Sequence, residues 1–323
     1  MTPMQTRSLT WPAMGCQAHV VVVSNDASVC FDALQYAQER IEHLEARWSR
    51  FRATSEISKL NEHRGRPVVV STDTYRLVQT ATQACSDTDG RFDPTVIDAI
   101  CAVGYDRDIK LVRANAAFIT PIGQPAPGCS AVRLDPILNA VSLGEGVGFD
   151  AGGIGKGLAA DIVVSELRKS GIEGAMVNVG GDVAVDGTPP NDDGWIVGIQ
   201  DPHDPTRIVG RVTIEAGGVC TSSRVGRSWT ATDGTRLHHL IDPRTGTSLE
   251  TPILTTTVVA GSAAWAEALT TAMFVASGEH AQGATQFASL LVNAHACCIT
   301  EHNDFTTYGE PGVFDFTSDR AAP

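Results

Sequence analysis

A glycine-rich segment in the middle of the chain combines a carboxylate, a lysine and a following apolar stretch. It reads GFDAGGIGKGLAAD from Gly148 to Asp161, and Asp150 and Lys156 lie within its glycine-rich part. Glycines let a backbone approach a ligand closely, and the start of a helix favours an anion. The segment therefore predicts a phosphate or pyrophosphate cradle. The alternative is a tight turn from a strand into a helix that packs on a sheet.

Two common phosphate-binding patterns fit this segment poorly. A Walker A loop requires a glycine and a hydroxyl residue at positions held here by Asp150 and Gly157. The relaxed dinucleotide pattern can be read at Gly155, Gly157 and Ala160. A Rossmann fingerprint, however, opens the first βα unit of its domain, whereas this segment lies in the middle of the chain. A Rossmann domain is therefore not favoured.

A second polar segment, HHLIDPRTG, runs from His238 to Gly246. It combines two imidazoles, a carboxylate, a guanidinium and a hydroxyl. Histidine titrates near neutral pH and suits proton transfer, which predicts a catalytic or anion-binding loop. The alternative is a polar β-turn built on the Asp-Pro and Thr-Gly pairs. In an extended segment neighbouring side chains point to opposite faces, so only one of His238 and His239 is expected to face a site.

Glu267 and Thr271 lie four residues apart in a stretch with a helical pattern, so both project from one face of that helix. A carboxylate and a hydroxyl are the hard oxygen donors that Mg²⁺ and Ca²⁺ prefer. The alternative is an exposed glutamate beside a threonine that bonds to its own helical turn. Two further polar segments are DGRFDPT at 89–95 and the hydroxyl cluster at 221–223. Neither indicates a particular function by itself.

Charge and cysteine content argue against several classes of protein. The chain of 323 residues has a formal net charge of −13, which disfavours binding to nucleic acid or to anionic lipid. Its eight cysteines include no Cys-x-x-Cys pair, so free thiols are expected. The N-terminus lacks the apolar core of a secretory signal, and Val20–Val23 is too short to span a membrane. We therefore expect a cytoplasmic protein with neither a nucleic-acid nor a membrane partner.

The elements that must position these segments mix helix and strand patterns. Helices are predicted over 31–48, 72–86, 157–169, 263–276 and 280–292, the first with an apolar face of Phe31, Leu34, Ile41, Leu44 and Trp48. Strands are predicted over 18–24, 141–143, on both sides of Gly180-Gly181, and over 195–200 and 210–215, whereas 105–140 reads as irregular. No regular βαβ period is present. The pattern indicates an α+β fold of mixed or antiparallel sheets with packed helices.

Taken in order, the motifs resemble those of the ApbE-type FAD:protein FMN transferases. The matching segments are Met14-Gly15, SRFRATSEISKLN at 49–61, DGRFDPTV at 89–96, DAGGIGKGLAAD at 150–161, VNVGGDVAVDG at 177–187, CTSS at 220–223, HHLIDPRTG at 238–246 and AEALTTA at 266–272. They span nearly the whole chain. The glycine-lysine segment and the HHLIDPRTG segment are the specific ones.

The resemblance implies Mg²⁺-dependent transfer of FMN from FAD to a Thr or Ser hydroxyl of a target flavoprotein, with release of AMP. It implies a two-lobed single domain over 1–323 whose ends, 1–12 and 304–323, are irregular. The implied FAD-binding residues are Met14, Phe51, Phe92, Asp93, Asp150, Lys156 and Ile241. The implied metal ligands are the Gly153 carbonyl, Glu267 and Thr271, and the implied catalytic residues are His239, Asp242 and Arg244.

The chain departs from the family at two positions. Glu267 stands where the metal carboxylate is usually an aspartate, and Ser223 stands where the family commonly has glycine. Two other functions stay open: an Mg²⁺-dependent FAD pyrophosphatase that uses water, and a flavin-binding protein without turnover. The general base also stays open among His239, Asp242 and Asp150.

Overall fold

Eighteen strands, seven α-helices and one 3₁₀ helix are found in the computed structural model, which describes residues 4–107, 109–114, 122–279 and 293–317. The strands are β1 (Gln5–Ala13), β2 (Cys16–Ser24), β3 (Pro67–Val69), β4 (Arg133–Asp135), β5 (Ala140–Ser142), β6 (Gly174–Val179), β7 (Asp182–Gly187), β8 (Trp195–Gln200), β9 (Ile208–Ile214), β10 (Gly217–Ser223), β11 (Ser228–Thr230), β12 (Arg236–His238), β13 (Ile241–Asp242), β14 (Thr247–Ser248), β15 (Ile253–Ala260), β16 (His295–Thr300), β17 (Phe305–Tyr308) and β18 (Phe314–Phe316). The α-helices are α1 (Ala27–Trp48), α2 (Glu56–Glu62), α3 (Thr72–Asp87), α4 (Ile97–Ala102), α5 (Ile109–Ala114), α6 (Gly155–Lys169) and α7 (Ala263–Glu279), and the 3₁₀ helix is Cys129–Ala131.

The central sheet has eight strands in the order β1-β2-β6-β7-β10-β15-β16-β17, and each neighbouring pair is antiparallel. Two three-stranded sheets, β18-β9-β8 and β3-β5-β4, and two short strand pairs complete the architecture. The α+β class with antiparallel sheets is confirmed, and this antiparallel sheet is not the parallel sheet of a Rossmann domain.

The central sheet is covered on both faces. Apolar side chains of its strands point alternately to the two faces, and each face packs in its own apolar cluster. Val20 and Val22 of β2 pack in the cluster that holds the buried faces of α1, α6 and α7. Val21 and Val23 pack in a separate cluster with Trp195 of β8. Side chains along a strand point alternately to its two faces, so one strand supplies both cores. The helical layer thus holds α6 and α7, which carry the glycine-lysine segment and Glu267.

Several predicted elements agree with the structure. The helices predicted over 72–86, 157–169 and 263–276 correspond to α3, α6 and α7, and the hairpin around residues 201–205 joins β8 to β9. None of the eight cysteines, all of which lie in the described residues, is in a disulfide. The helix predicted over 280–292 lies outside the described residues. That residues 1–323 form one domain stays a prediction.

Three expectations about local structure are wrong. Phe31 is 69% exposed, because Cys30 lies nearer the centre of the buried face of α1, where successive residues are about 100° apart. The ends predicted to be irregular contain β1, β17 and β18. The stretch 105–140 contains α5, the 3₁₀ helix and β4. Short strands at sheet edges depend on a partner strand, which local sequence does not reveal.

No helix among the described residues combines the length and apolarity needed to cross a bilayer.

Candidate active site

A cavity of about 670 Å³ opens where loops from several elements meet. Its walls come from the β1–β2 turn, the segment after α1, the segments 91–96 and 150–156, the β6–β7 turn, the end of β10, residues 239–243 and α7. The predicted site residues in its wall are Met14, Phe51, Phe92, Asp93, Asp150, Gly153, Lys156, His239, Ile241, Glu267 and Thr271. Asp242 and Arg244 are not in the wall. Pockets for small molecules typically enclose roughly 300–1,000 Å³.

A buried cluster of one ammonium and two carboxylates forms part of this wall. The Nζ of Lys156 donates to the carboxylates of both Asp182 and Glu267. The second oxygen of Glu267 accepts from the backbone N–H of Gly157 at 2.8 Å. Asp182 and Glu267 are each 2% exposed. The positive charge of Lys156 therefore offsets the charge of two buried carboxylates. The sequence had predicted instead that Lys156 contacts the phosphate of a ligand.

The cluster changes the protonation of its members. Burial, followed by the charge of Asp182, raises the pKa of Glu267 to about 7 despite the opposing effect of Lys156. Burial lowers the pKa of Lys156, but the carboxylates of Asp182 and Glu267 outweigh it and hold that pKa above its usual value. The lysine thus stays charged at neutral pH. The two buried carboxylates strongly favour a bound cation.

The close contact between α6 and α7 brings Lys156 to Glu267. A Cβ atom at Gly157 would lie 2.4 Å from the carbonyl oxygen of Ala263, so only glycine permits this approach. Asp161 of α6 accepts from the backbone N–H groups of Ala263 and Ala264 at 2.8 and 2.9 Å, which caps the start of α7. The glycine-rich segment is therefore both the predicted strand-to-helix turn and a part of the site.

Thr271, Gly153 and Glu267 provide oxygen atoms suited to a hard divalent cation. Thr271 lies one helical turn after Glu267 on α7, and a Cβ at Gly153 would lie 3.4 Å from the Thr271 hydroxyl oxygen. A carboxylate, a hydroxyl and a backbone carbonyl fit Mg²⁺, and Asp182 adds a second buried carboxylate. The sequence analysis missed Asp182. The available signal was its place directly after Gly180-Gly181, in a turn where both glycines have positive φ, 66° and 99°.

A guanidinium that packs against two aromatic rings borders the cavity beside Asp150. The Cζ of Arg50 lies 4.3 Å from the ring centroid of Phe51 and 4.6 Å from that of Tyr105. Its Nε is 3.3 Å from Asp150 Oδ1. Its Nη2 is buried without an acceptor among the described residues. An unpaired buried donor is costly, so this N–H is suited to an acceptor atom of a ligand. Sequence alone did not distinguish Arg50 from Arg52.

Asp93 and Met14 are held in the wall by local hydrogen bonds. Asp93 Oδ1 accepts from the N–H and the hydroxyl of Thr95 at 2.8 and 2.7 Å. Burial raises the pKa of Asp93 against the effect of these bonds. Met14 has φ 49° in the tight β1–β2 turn, and its N–H donates to Glu45 at 2.9 Å.

The two adjacent histidines lie in different environments, His238 at the end of β12 and His239 in the bend that follows it. His239 is part of the cavity wall, and burial together with the charge of Arg227 holds its pKa well below the usual range. His238 is not in the wall. Its Nε2 donates to the carbonyl oxygen of Leu249 at 3.0 Å, and burial lowers its pKa to about 4. His239 is thus neutral at neutral pH, and the low pKa makes it a weaker proton acceptor than an exposed histidine.

Asp242 and Arg244 pair with each other on the turn that follows β13. The N–H and Nε of Arg244 donate to Asp242 Oδ1 at 2.9 Å each, and Nη2 donates to Oδ2 at 2.7 Å. Of this turn, Ile241 and Pro243 are in the cavity wall. The polar-turn interpretation therefore describes Asp242 and Arg244, and the geometry gives no support to their predicted catalytic roles.

Known proteins resemble this chain in sequence and in fold. A Klebsiella pneumoniae protein named FAD:protein FMN transferase is 31% identical over 232 residues, 69% of this chain and 69% of that protein. One of the same name from Vibrio cholerae is 25% identical over 279 residues, 86% of this chain and 83% of that protein. The crystal structure of the ApbE protein from Thermotoga maritima superposes with a TM-score of 0.82 at 26% identity, covering 94% of this chain and 97% of that one.

A second structure, the flavin transferase ApbE of Vibrio cholerae, supports the fold with a TM-score of 0.75 at 23% identity, covering 96% of this chain and 99% of that one. The family model for the ApbE family matches residues 14–292, which include every residue of the cavity wall. The chain therefore belongs to the ApbE family.

Proposed function

We propose that this chain is a transferase that moves FMN from FAD to a Thr or Ser hydroxyl of a target protein and releases AMP, with Mg²⁺ bound in the cavity. The observation that carries the proposal is the buried cluster of Lys156, Asp182 and Glu267 opening on a cavity large enough for a ligand. The relatives named FAD:protein FMN transferase support the donor and the transferred group. The cytoplasmic location stays a prediction.

Glu267, Thr271 and the carbonyl of Gly153 would hold Mg²⁺, with Asp182 as a further carboxylate. Mg²⁺ bound there would neutralise negative charge on the pyrophosphate oxygens. Lys156 is oriented by two carboxylates and offsets part of their negative charge, which reduces their repulsion of the substrate phosphates. A positive charge fixed in this way needs no reorganisation during the reaction.

His239 is the candidate general base of this chain. In the reaction the acceptor hydroxyl oxygen attacks the phosphorus on the FMN side of the FAD pyrophosphate. A new phosphoester bond forms, the bond to the bridging oxygen breaks, and AMP leaves with that oxygen. The proton of the hydroxyl passes to His239, which is neutral because burial holds its pKa low.

Arg50, Phe51 and Tyr105 form a flat-sided region of the wall on the Asp150 side. Aromatic rings and a stacked guanidinium suit the face of a planar heteroaromatic ring. The unpaired Nη2 of Arg50 would then donate to an acceptor on the edge of that ring. This region orients the substrate, while the Lys156 cluster acts on its phosphates.

The test incubates the purified chain with FAD and Mg²⁺, with and without a flavoprotein substrate of a characterised relative. We expect an acceptor whose mass increases by FMN and an equal amount of AMP. Free FMN with AMP, whether or not the acceptor is present, would identify a pyrophosphatase. FAD binding without either product from several acceptors would identify a flavin-binding protein. Glu166→Gln, on the outer side of α6 where Glu166 pairs with Arg40, serves as a control for Glu267→Gln.

A further inference from the structure

A cluster of two thiols and a carboxylate lies at the edge of the cavity, where Asp93 is part of the wall, and no step described above uses the thiols. The Sγ atoms of Cys85 and Cys129 and a carboxylate oxygen of Asp93 all lie within 4.8 Å of one another. The Cys129 Sγ to Asp93 Oδ1 distance is 3.9 Å. Cys85 and Asp93 are buried, and Cys129 is half-buried.

Three segments are tied together at this cluster. A turn through Asp89 and Gly90, both with positive φ, reverses the chain after α3 and returns it past Cys85. The hydroxyl of Thr95 donates to Asp93 at 2.7 Å and accepts from the N–H of Gly128 at 3.0 Å. The Thr95 hydroxyl thus connects Asp93 to Gly128, the residue before Cys129. The fold therefore sets the positions of the donor atoms.

The geometry points to a site for a thiophilic divalent cation, Zn²⁺, held by Cys85, Cys129 and Asp93. Tetrahedral zinc with bonds of about 2.3 Å to sulfur and about 2.1 Å to oxygen places its ligand atoms roughly 3.6–3.8 Å apart. The spacing of this cluster needs only small side-chain rotations to reach that value. A zinc ion with two thiolates and one carboxylate has the same net charge as a Cys₃His zinc site, a common structural type.

The surroundings supply the other requirements of a metal site. Thr95 orients the Asp93 carboxylate through two hydrogen bonds, as outer groups commonly do for metal ligands. Asp93 is in the cavity wall, which provides an entry path and room for a water molecule as fourth ligand. Both thiols lose their protons on binding, so affinity for the cation rises with pH. The soft sulfur donors distinguish this site from the all-oxygen set around Glu267.

The test titrates the reduced, metal-free protein with Co²⁺ alone, under anaerobic conditions. Bound Co²⁺ with thiolate ligands produces a sulfur-to-metal charge-transfer absorption, which oxygen ligands do not. We expect this absorption to saturate at one equivalent and to disappear when Zn²⁺ is added. It should be absent in Cys85→Ala and in Cys129→Ser, where the serine hydroxyl still donates to Asp93. Zn²⁺ should also raise the Tm of the wild-type protein and not that of these variants.

Two controls isolate the cluster from other thiols. Cys30→Ala removes another buried helix cysteine, and Cys16→Ala removes the cysteine in the cavity wall. Both should keep the absorption. The assignment is overturned if the wild-type protein gives no charge-transfer absorption or if Cys85→Ala retains it. It is also overturned if peptide mapping finds a Cys85–Cys129 disulfide and the reduced protein binds no Co²⁺, because the pair is then a redox site. None of these readouts depends on flavin transfer.

Discussion

Lys156 and Glu267 form a buried ion pair between the first turn of α6 and the middle of α7. Lys156 donates to one oxygen of Glu267, and the other oxygen accepts from the N–H of Gly157 at 2.8 Å. One carboxylate is thereby fixed by a side chain and by the backbone that follows it. The pair connects the glycine-rich segment to the helix that carries Thr271, and Asp182 joins it from the β6–β7 turn.

Replacing Glu267 tests the metal site. Glu267→Gln keeps the size of the side chain and an acceptor for Gly157, so the fold should persist while Mg²⁺-stimulated turnover falls at least a hundredfold. Glu267→Asp, the residue usual in the family, should retain measurable turnover. Because the pKa of Glu267 is about 7, the Mg²⁺ affinity of the wild-type protein should rise with pH up to about 7 and then level off. Calorimetric titration across this range measures it, and full activity of Glu267→Gln would refute the assignment.

Removing Lys156 should make stability depend on the metal. Lys156→Met leaves Asp182 and Glu267 buried without their cation, which should cost about 3 kcal/mol of unfolding free energy. A divalent cation can then supply the counter-charge that Lys156 provided. Mg²⁺ should therefore raise the Tm of the variant more than that of the wild type. Lys169→Met, at the exposed end of the same helix, is the control. An equal effect of Mg²⁺ on all three proteins would contradict the prediction.

The histidine pair gives a contrast in activity. His239→Gln should lower the rate of FMN transfer at least tenfold with little change in FAD affinity, because only His239 is in the cavity wall. His238→Gln should have a mild effect on transfer, since its Nε2 bonds to a backbone carbonyl elsewhere. Single-turnover rates and FAD binding are measured for both. If the two variants behave alike, Asp150 becomes the better candidate base.

His238 should instead control stability in acid. Leu249 O accepts from Nε2, so Nε2 carries the proton and the buried Nδ1, which has no partner among the described residues, does not. Protonation of Nδ1 is unfavourable, and the folded pKa of about 4 lies below the unfolded value near 6.5. The unfolded state thus binds more protons between these values, and stability falls as pH falls from 6.5 to 4. In His238→Gln the free energy of unfolding should decrease by about 3 kcal/mol less over this pH range than in the wild type. Urea unfolding at each pH measures it.

Arg50 should contribute to ligand binding through its planar guanidinium. Arg50→Lys keeps a charge near Asp150 but loses the stacked fork, so we expect a stable protein with about tenfold weaker FAD binding. Arg66→Lys is the control, because Arg66 is exposed and is not in the cavity wall. The prediction is wrong if Arg50→Lys binds FAD as tightly as the wild type does.

Local sequence patterns were sufficient to predict part of the site. Glu267 and Thr271 are four residues apart, a spacing that brings two side chains to one face of any α-helix. The expectation that only one of His238 and His239 faces the site also used only neighbouring residues. The glycines before and after Lys156 also indicated a close backbone approach without any knowledge of the partner. Each inference needed only residues within a few positions of one another.

The pairing of charged groups could not be predicted without the fold. Lys156 and Asp182 are 26 residues apart, and Lys156 and Glu267 are 111 apart, so nothing local links them. Arg50 and Arg52 look alike in the sequence, yet one packs against two aromatic rings and the other has a half-exposed side chain. Charge pairing and burial depend on which elements pack together, and packing is a property of the whole chain. The sequence therefore determined the local orientation of single residues, and the fold determined their electrostatic partners.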